Sequence, residues 1–234
     1  MTEARYDGVV DFYVDRWTDD YDDPVTAALL AAAGPVDGLD VLDVACGHGR
    51  ISRELARRGG RVVGLDLSGR LLARAEEVEA AAPLGVRYVH ADAADPGDWL
   101  DAAGYDVATC CFGLSDIDDL DGALATVARA LRPGGRFAFV ILHPCFPGGG
   151  GVSPSWPAGG SYYDEGWWAA SGELSTLRRQ VGGNHRMLST YLNALRRHGL
   201  DVVEVTEPRP KWTGERAAAG RYPVFLVVSC TRTP

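Results

Sequence analysis

Two hydrophobic periods alternate along the chain. Short apolar runs at Val41–Val44, Val62–Leu65, Val86–Val89, Tyr105–Cys111 and Arg136–Leu142 have the length and composition of buried strands. Between them, Ile51 and Leu55, then Leu72, Ala75 and Val78, then Leu120, Leu124, Val127 and Leu131 fall three or four residues apart, the spacing of one helix face. The punctuation agrees. Asp23 and Pro24 supply an N-cap and a first-turn proline for a helix over Val25–Ala33, which Gly34-Pro35 stops. A helix from Arg50 to Arg58 ends at Gly59-Gly60, and Ser68 caps the next one. Strands and helices taken in turn predict an α/β fold with a doubly wound, mostly parallel sheet.

The first strand runs into Ala45-Cys-Gly47-His-Gly49-Arg50. A side chain at Gly47 or Gly49 would hold a ligand off the backbone, and the helix that follows offers unpaired N–H groups and a positive dipole end. Such a turn suits a nucleotide-like ligand. A dinucleotide site calls for another glycine or alanine three residues after the second glycine, where this chain has Ser52. Asp43 would repel a pyrophosphate and welcome an ammonium group, so the turn fits a zwitterion with a positive end.

The run Asp43-Val-Ala-Cys-Gly47-His-Gly49 resembles the first motif of the class I S-adenosylmethionine-dependent methyltransferases. Val62-Val-Gly-Leu-Asp66-Leu-Ser68, His90-Ala-Asp92-Ala93 and Leu131-Arg-Pro133-Gly134-Gly135 follow in the family's order and spacing. The resemblance covers residues 38–142 and, more weakly, the tail from Asn184, where it points to the small-molecule methyltransferases. It implies a seven-stranded Rossmann-like sheet in which Val202–Val205 and Val224–Ser229 form an antiparallel edge pair. It also implies S-adenosylmethionine as the cofactor. Asp66, at the end of the second strand, stands where a carboxylate accepts both ribose hydroxyls. By resemblance Asp92 and the Ala93 N–H meet the adenine, Leu67 lies against its face, and backbone near Cys110 meets the ammonium. Ala45, Gly47 and Gly49 form the turn, with His48 and Arg50 near the carboxylate.

One domain over residues 1–234 is expected, with an N-terminal helical lid (1–36), a cofactor-binding core (37–142), a substrate cap (143–190) and a closing helix with the strand pair (191–234). Tyr6, Val9, Val10, Tyr13 and Trp17 sit at helical spacing, as in an amphipathic helix packed on the domain. The resemblance makes it a lid, with Tyr13 and Tyr21 toward the cofactor and Tyr6 toward the acceptor. Residues 147–183 form a glycine- and proline-rich insertion carrying Trp156, Tyr162, Tyr163, Trp167 and Trp168, too aromatic for plain disorder and read as the substrate cap. The stretch Asn184–Asn193 is expected to form the start of the last helix, which ends at His198-Gly199.

Composition narrows the partners. A net charge of −9 argues against a nucleic acid, which needs a concentrated basic surface, and leaves a small-molecule acceptor. Five cysteines without Cys-x-x-Cys spacing read as reduced thiols of a cytoplasmic protein, and no long apolar run suggests a membrane span. The aspartates from Asp116 to Asp121 invite a metal, but more simply they cap the helix through Leu120, so no metal is expected. Oligomeric state is not legible.

Of the five histidines, His198 sits at a helix end, His90 at a strand end and His48 in the glycine turn, leaving His185 and His143 as candidate bases. The expected reaction is methyl transfer to an oxygen or nitrogen of a small aromatic or apolar acceptor. The alternatives are a nicotinamide-dependent oxidoreductase and a non-catalytic binder of the same cofactor. Ser52 weighs against the oxidoreductase. So does the lack of a Tyr-x-x-x-Lys pair, since the residue four before Lys211, the one lysine, is Glu207.

Overall fold

The computed structural model describes residues 4–15, 21, 23–95, 97–100, 102–157, 159–170 and 176–234, without the side chains of Trp99 and Thr176. Its strands are β1 (Asp40–Val44), β2 (Arg61–Asp66), β3 (Arg87–His90), β4 (Tyr105–Cys111), β5 (Leu131–Leu142), β6 (Gly166–Trp168), β7 (Gly183–His185), β8 (Leu200–Thr206) and β9 (Phe225–Arg232). Its α-helices are α1 (Val10–Val14), α2 (Pro24–Ala33), α3 (Arg50–Arg57), α4 (Gly69–Ala81), α5 (Leu120–Ala130), α6 (Thr176–Val181) and α7 (Leu188–Arg197). Seven strands form one sheet in the order β3-β2-β1-β4-β5-β9-β8, parallel except for β9, which runs against both its neighbours. The edge pair is therefore joined as expected, and its later strand is the inner one. Order reverses between β1 and β4, and that opens a crevice beyond the strands' carboxyl ends.

The period of two along the strands sorts the core into layers. Val41, Val107, Ala138, Val140 and Val227 face α2 and α3, where Leu29, Ile51 and Leu55 are buried. Leu42, Val44, Phe137, Phe139 and Ile141 face the opposite way, against α5 and α7, with Leu124, Val127 and Leu195. The caps match the sequence: Asp23 Oδ1 accepts from the Val25 and Thr26 N–H groups, and Ser68 Oγ accepts from that of Leu71.

Three expectations need correction. The N-terminal segment is a 3₁₀ turn (Arg5–Gly8) followed by the short α1, and not one amphipathic helix; Trp17 lies outside the described residues. Gly8 marks the break, and side-chain bonds of Arg5, Tyr6 and Asp7 hold the turn in place. Asn184 and His185 do not begin α7, because their backbone joins the antiparallel ladder of β7 with β6. β5 starts at Leu131, five residues ahead of the expected Arg136, with a register shift opposite Tyr105/Val107.

Candidate functional site

A cleft of about 420 Å³ opens at the carboxyl ends of β1, β2 and β4. Two of the three non-glycine residues with positive φ among the described residues, Ala45 (φ +54°) and Phe112 (φ +64°), line it. Strained backbone of this kind costs roughly 1–3 kcal/mol and persists where surrounding structure over-determines it. Here the constraint is visible: a Cβ on Gly113 would fall 2.4 Å from the Ala45 Cβ, so β1 and β4 exit in mutual contact. Gly49, the left-handed N-cap of α3, is pinned from behind, since a Cβ there would fall 2.2 Å from the Tyr88 hydroxyl.

Asp66 lies in the cleft wall with both oxygens held: Oδ2 accepts the Gly47 N–H (2.7 Å) and Oδ1 the Ser68 N–H (2.8 Å). Each oxygen keeps a lone pair for a ligand hydroxyl. Burial pushes its pKa up, and the two N–H groups oppose that. Asp92, its Oδ1 on the Ala94 N–H (2.9 Å), lines the cleft with Leu67, Ala93, Ala45, Gly47 and Tyr13.

The remaining predicted cofactor residues lie outside the cleft itself, three of them around an adjoining cavity. Asp43 is 1% exposed and, by the strand's period of two, shares the face of Val41, one layer behind the cleft. Ser52 Oγ donates to its Oδ2 (2.6 Å) and Thr109 Oγ1 to its Oδ1 (2.8 Å), so the serine that breaks the dinucleotide fingerprint ties α3 to this carboxylate. Burial raises the Asp43 pKa to about 6. Asp43, His48 and Arg50 border a small cavity that shares Tyr13, Ala45 and Cys111 with the cleft. Arg50 donates to Thr26 Oγ1 (3.1 Å) and packs over the Tyr21 ring, which keeps Tyr21 off the cleft. The Cys110 side chain is buried in the core on the α5 side and its neighbour Cys111 lines the cleft, while the contact expected near Cys110 is one of backbone.

The aromatic insertion departs most from expectation. Trp156, Tyr162 and His185 pack ring against ring, while Tyr163 is 77% and Trp167 55% exposed. Trp168 is buried beside a separate small cavity. None of the five lines the cleft. The insertion reaches it through Val152, Ser153, Leu177, Arg178 and Val181. His185 is 2% exposed and its Nε2–H donates to the Tyr162 carbonyl (2.8 Å). His143 accepts the Cys145 N–H at Nδ1 (3.1 Å), which leaves the Nε2 proton for Glu207 (3.0 Å). Both candidate bases are thus held outside the cleft by bonds within the protein.

The groups that do face the far end of the cleft are Tyr6, Asp116 and Arg178. The Tyr6 hydroxyl donates to Asp116 Oδ2 (2.7 Å), and Arg178 Nη1 pairs with Asp116 Oδ1. Arg178 also donates to the Gly182 carbonyl (2.7 Å) and Ser115 Oγ (3.1 Å). Burial disfavours its charge, yet Asp116 outweighs burial and holds its pKa above the ordinary value. The nearby aspartates diverge: Asp118 pairs with Arg5 and Asn184, Asp119 caps α5, and Asp121 meets Arg197 and His198. The Arg5–Gly8 turn bonds both rims, since Asp7 takes the Ser68 hydroxyl on one side while Arg5 and Tyr6 bond Asp118 and Asp116 on the other. The Asp116 position carried a signal, lying at a strand end beside the switch point; Arg178 carried none.

Comparison with known proteins decides the family. Residues 41–135 match the model of the methyltransferase domain family. The crystal structure of an S-adenosylmethionine-dependent methyltransferase from Mesorhizobium loti superposes with a TM-score of 0.70 at 32% identity, covering 88% of this chain and 97% of that one. The chain belongs to the class I S-adenosylmethionine-dependent methyltransferases. Two further relatives are nocamycin O-methyltransferase of Saccharothrix syringae, 40% identical over 48% of this chain and 41% of its own length, and a ubiquinone biosynthesis O-methyltransferase of Ralstonia nicotianae, 31% identical over 51% and 50%. The match therefore spans about half the length of these relatives or less. As a methyltransferase of this class, the chain uses S-adenosylmethionine, and its sheet order and crevice are those of the fold it shares.

Proposed function

We propose that this methyltransferase methylates an oxygen or nitrogen of a small apolar acceptor bound at the Phe112–Arg178 end of the cleft. The observation that carries this reading is one continuous cleft with Asp66 in one wall and Phe112, Leu142, Val152, Leu177 and Val181 in another. Its volume falls in the ordinary range for a ligand of the cofactor's size, and the Asp66 lone pairs and the side-chain-free turn at Gly47 fit the group. Asp66 would hold the ribose, Asp92 with Ala93 and Leu67 the adenine, and the cavity of His48 and Arg50 the amino acid end. Bound there, S-adenosylmethionine supplies a methyl group on a cationic sulfur.

The protein's own contribution is alignment and exclusion of water. Orientation supplies roughly 7–11 kcal/mol, against about 3–5 kcal/mol for a general base, so the distance of His143 and His185 from the cleft is no obstacle to turnover. The aliphatic lining supports an apolar acceptor, the net charge of −9 a partner other than nucleic acid, and the names of both relatives an oxygen nucleophile. Among the described residues no helix is long and apolar enough to cross a membrane. The five free thiols support a reducing, cytoplasmic setting. Calorimetry tests the reading: S-adenosylhomocysteine is expected to bind saturably and NAD not at all, and the reverse result would return the oxidoreductase.

A further inference from the structure

Five carboxylates border the cleft, and three have an oxygen engaged by backbone N–H groups: Asp66 by two of them, Asp92 by its own turn, Asp119 as the α5 cap. Asp116 and Asp118 are held instead by side chains from distant segments. Of these two, Asp116 is the less exposed (20% against 43%), and both of its partners, Tyr6 and Arg178, line the cleft themselves. Oδ2 accepts one bond from Tyr6, and a carboxylate oxygen has room for a second donor. Arg178 aims Nη1 at Asp116 and the Gly182 carbonyl and Nη2 at Ser115 Oγ, so the pair offers a ligand a neutralised, oriented acceptor of hydrogen bonds.

We propose that Asp116 receives the hydrogen bond of a neutral hydroxyl acceptor on an apolar frame, with Arg178 and Tyr6 as positioning residues. This rests on the methyl-transfer reading and narrows its nucleophile. The proton stays on the acceptor until transfer. As the oxygen–methyl bond forms, the methyl–sulfur bond breaks with its electron pair left on sulfur, and the hydroxyl proton passes to Asp116 Oδ2. Charge balances, since the sulfonium and the carboxylate are neutralised together. Tyr6 does not take that proton, because its hydroxyl already donates to Asp116 and burial pushes its pKa up. An anionic acceptor is disfavoured here, since the Asp116 carboxylate faces it.

The charged and titratable groups around Asp116 include Arg5 and Tyr6 from the N-terminal turn, Arg178 from α6, Arg186 ahead of α7, Tyr191 from α7, Asp118 on its own loop, and Asp66. The test uses 4-nitrophenol, which ionises near neutral pH and is yellow only as the phenolate, titrated into protein saturated with S-adenosylhomocysteine. Saturable binding is expected, with the probe's ionisation moved up by about one unit, tenfold in the constant. Asp116→Asn should abolish that shift while leaving S-adenosylhomocysteine affinity within about threefold. Tyr6→Phe keeps the carboxylate and removes one of the bonds that orient it, so it should preserve the shift while loosening the probe severalfold, a split that a purely structural pair would not show. A bound probe that ionises more readily than the free one, a shift that survives Asp116→Asn, or no probe binding by cofactor-loaded protein would each overturn the proposal. Failure of the wild type to bind S-adenosylhomocysteine would instead strike the methyltransferase reading beneath it.

Discussion

At one end of the cleft the ligand-facing atoms belong to the main chain and to a carboxylate that the main chain holds; at the other they belong to side chains that meet only in the folded state. Asp66 lies 19 residues from Gly47, and the parallel pairing of β1 with β2 sets their approach. Asp116 meets Arg178 across 62 residues and Tyr6 across 110. The cofactor end is therefore rigid wherever the sheet is intact. The acceptor end can be rebuilt by changing a few side chains on an insertion and a terminal turn, without touching a strand. A family that keeps one cofactor and varies its acceptors needs this division.

The sharpest way to break the comparison is at the turn itself. Gly49→Val meets the Tyr88 hydroxyl and a left-handed φ together, and should cost roughly 2–5 kcal/mol of stability, read by denaturant unfolding. Asp66→Asn keeps the shape and loses the charge. It should weaken S-adenosylhomocysteine binding about ten- to hundredfold by calorimetry. Arg178→Met leaves a half-buried carboxylate without its cation and should cost about 1–3 kcal/mol of stability, while cofactor affinity stays within about threefold. If Arg178→Met weakened cofactor binding as much as Asp66→Asn, the two ends would not be separable.

A further effect is in pH. Asp43 has a folded pKa of about 6 against an ordinary 3.8, so between those values the folded state binds more protons than the unfolded chain. Stability from this group therefore falls as pH rises from about 4 to 6, by on the order of 1 kcal/mol per unit, and is level above. Asp43→Asn should remove that slope, seen as the difference between the two proteins' unfolding midpoints at pH 4.5, 5.5 and 6.5. An unchanged difference would place the titration elsewhere.

The same division explains what was legible in the sequence. Strands, caps and the glycine turn follow from local periods and stop residues, and four short motifs in register pointed to the family. What the sequence did not show at Asp43 is its strand face: parity with Val41 turns it toward α3, where Ser52 is its donor. The aromatic insertion misled because five large rings suggest a lining, yet Trp156 and Tyr162 pack on each other and on His185, while Tyr163 and Trp167 face outward and Trp168 is buried away from the cleft. Arg178 had no local pattern to betray it, since its partner lies on another element and the pairing exists only after the chain has folded.

The placement of β9 has one more consequence. β8 touches the rest of the sheet only through β9, and α7 packs chiefly on β8 and α5. Amide exchange should therefore release β8 ahead of β9, loosening α7 and the Tyr191 that it sets beside Arg178, while β9, paired along its length with β5, and the inner strand β1 keep their protection. Slow breathing of this molecule would then be felt where the acceptor sits and not where the adenosyl group is gripped.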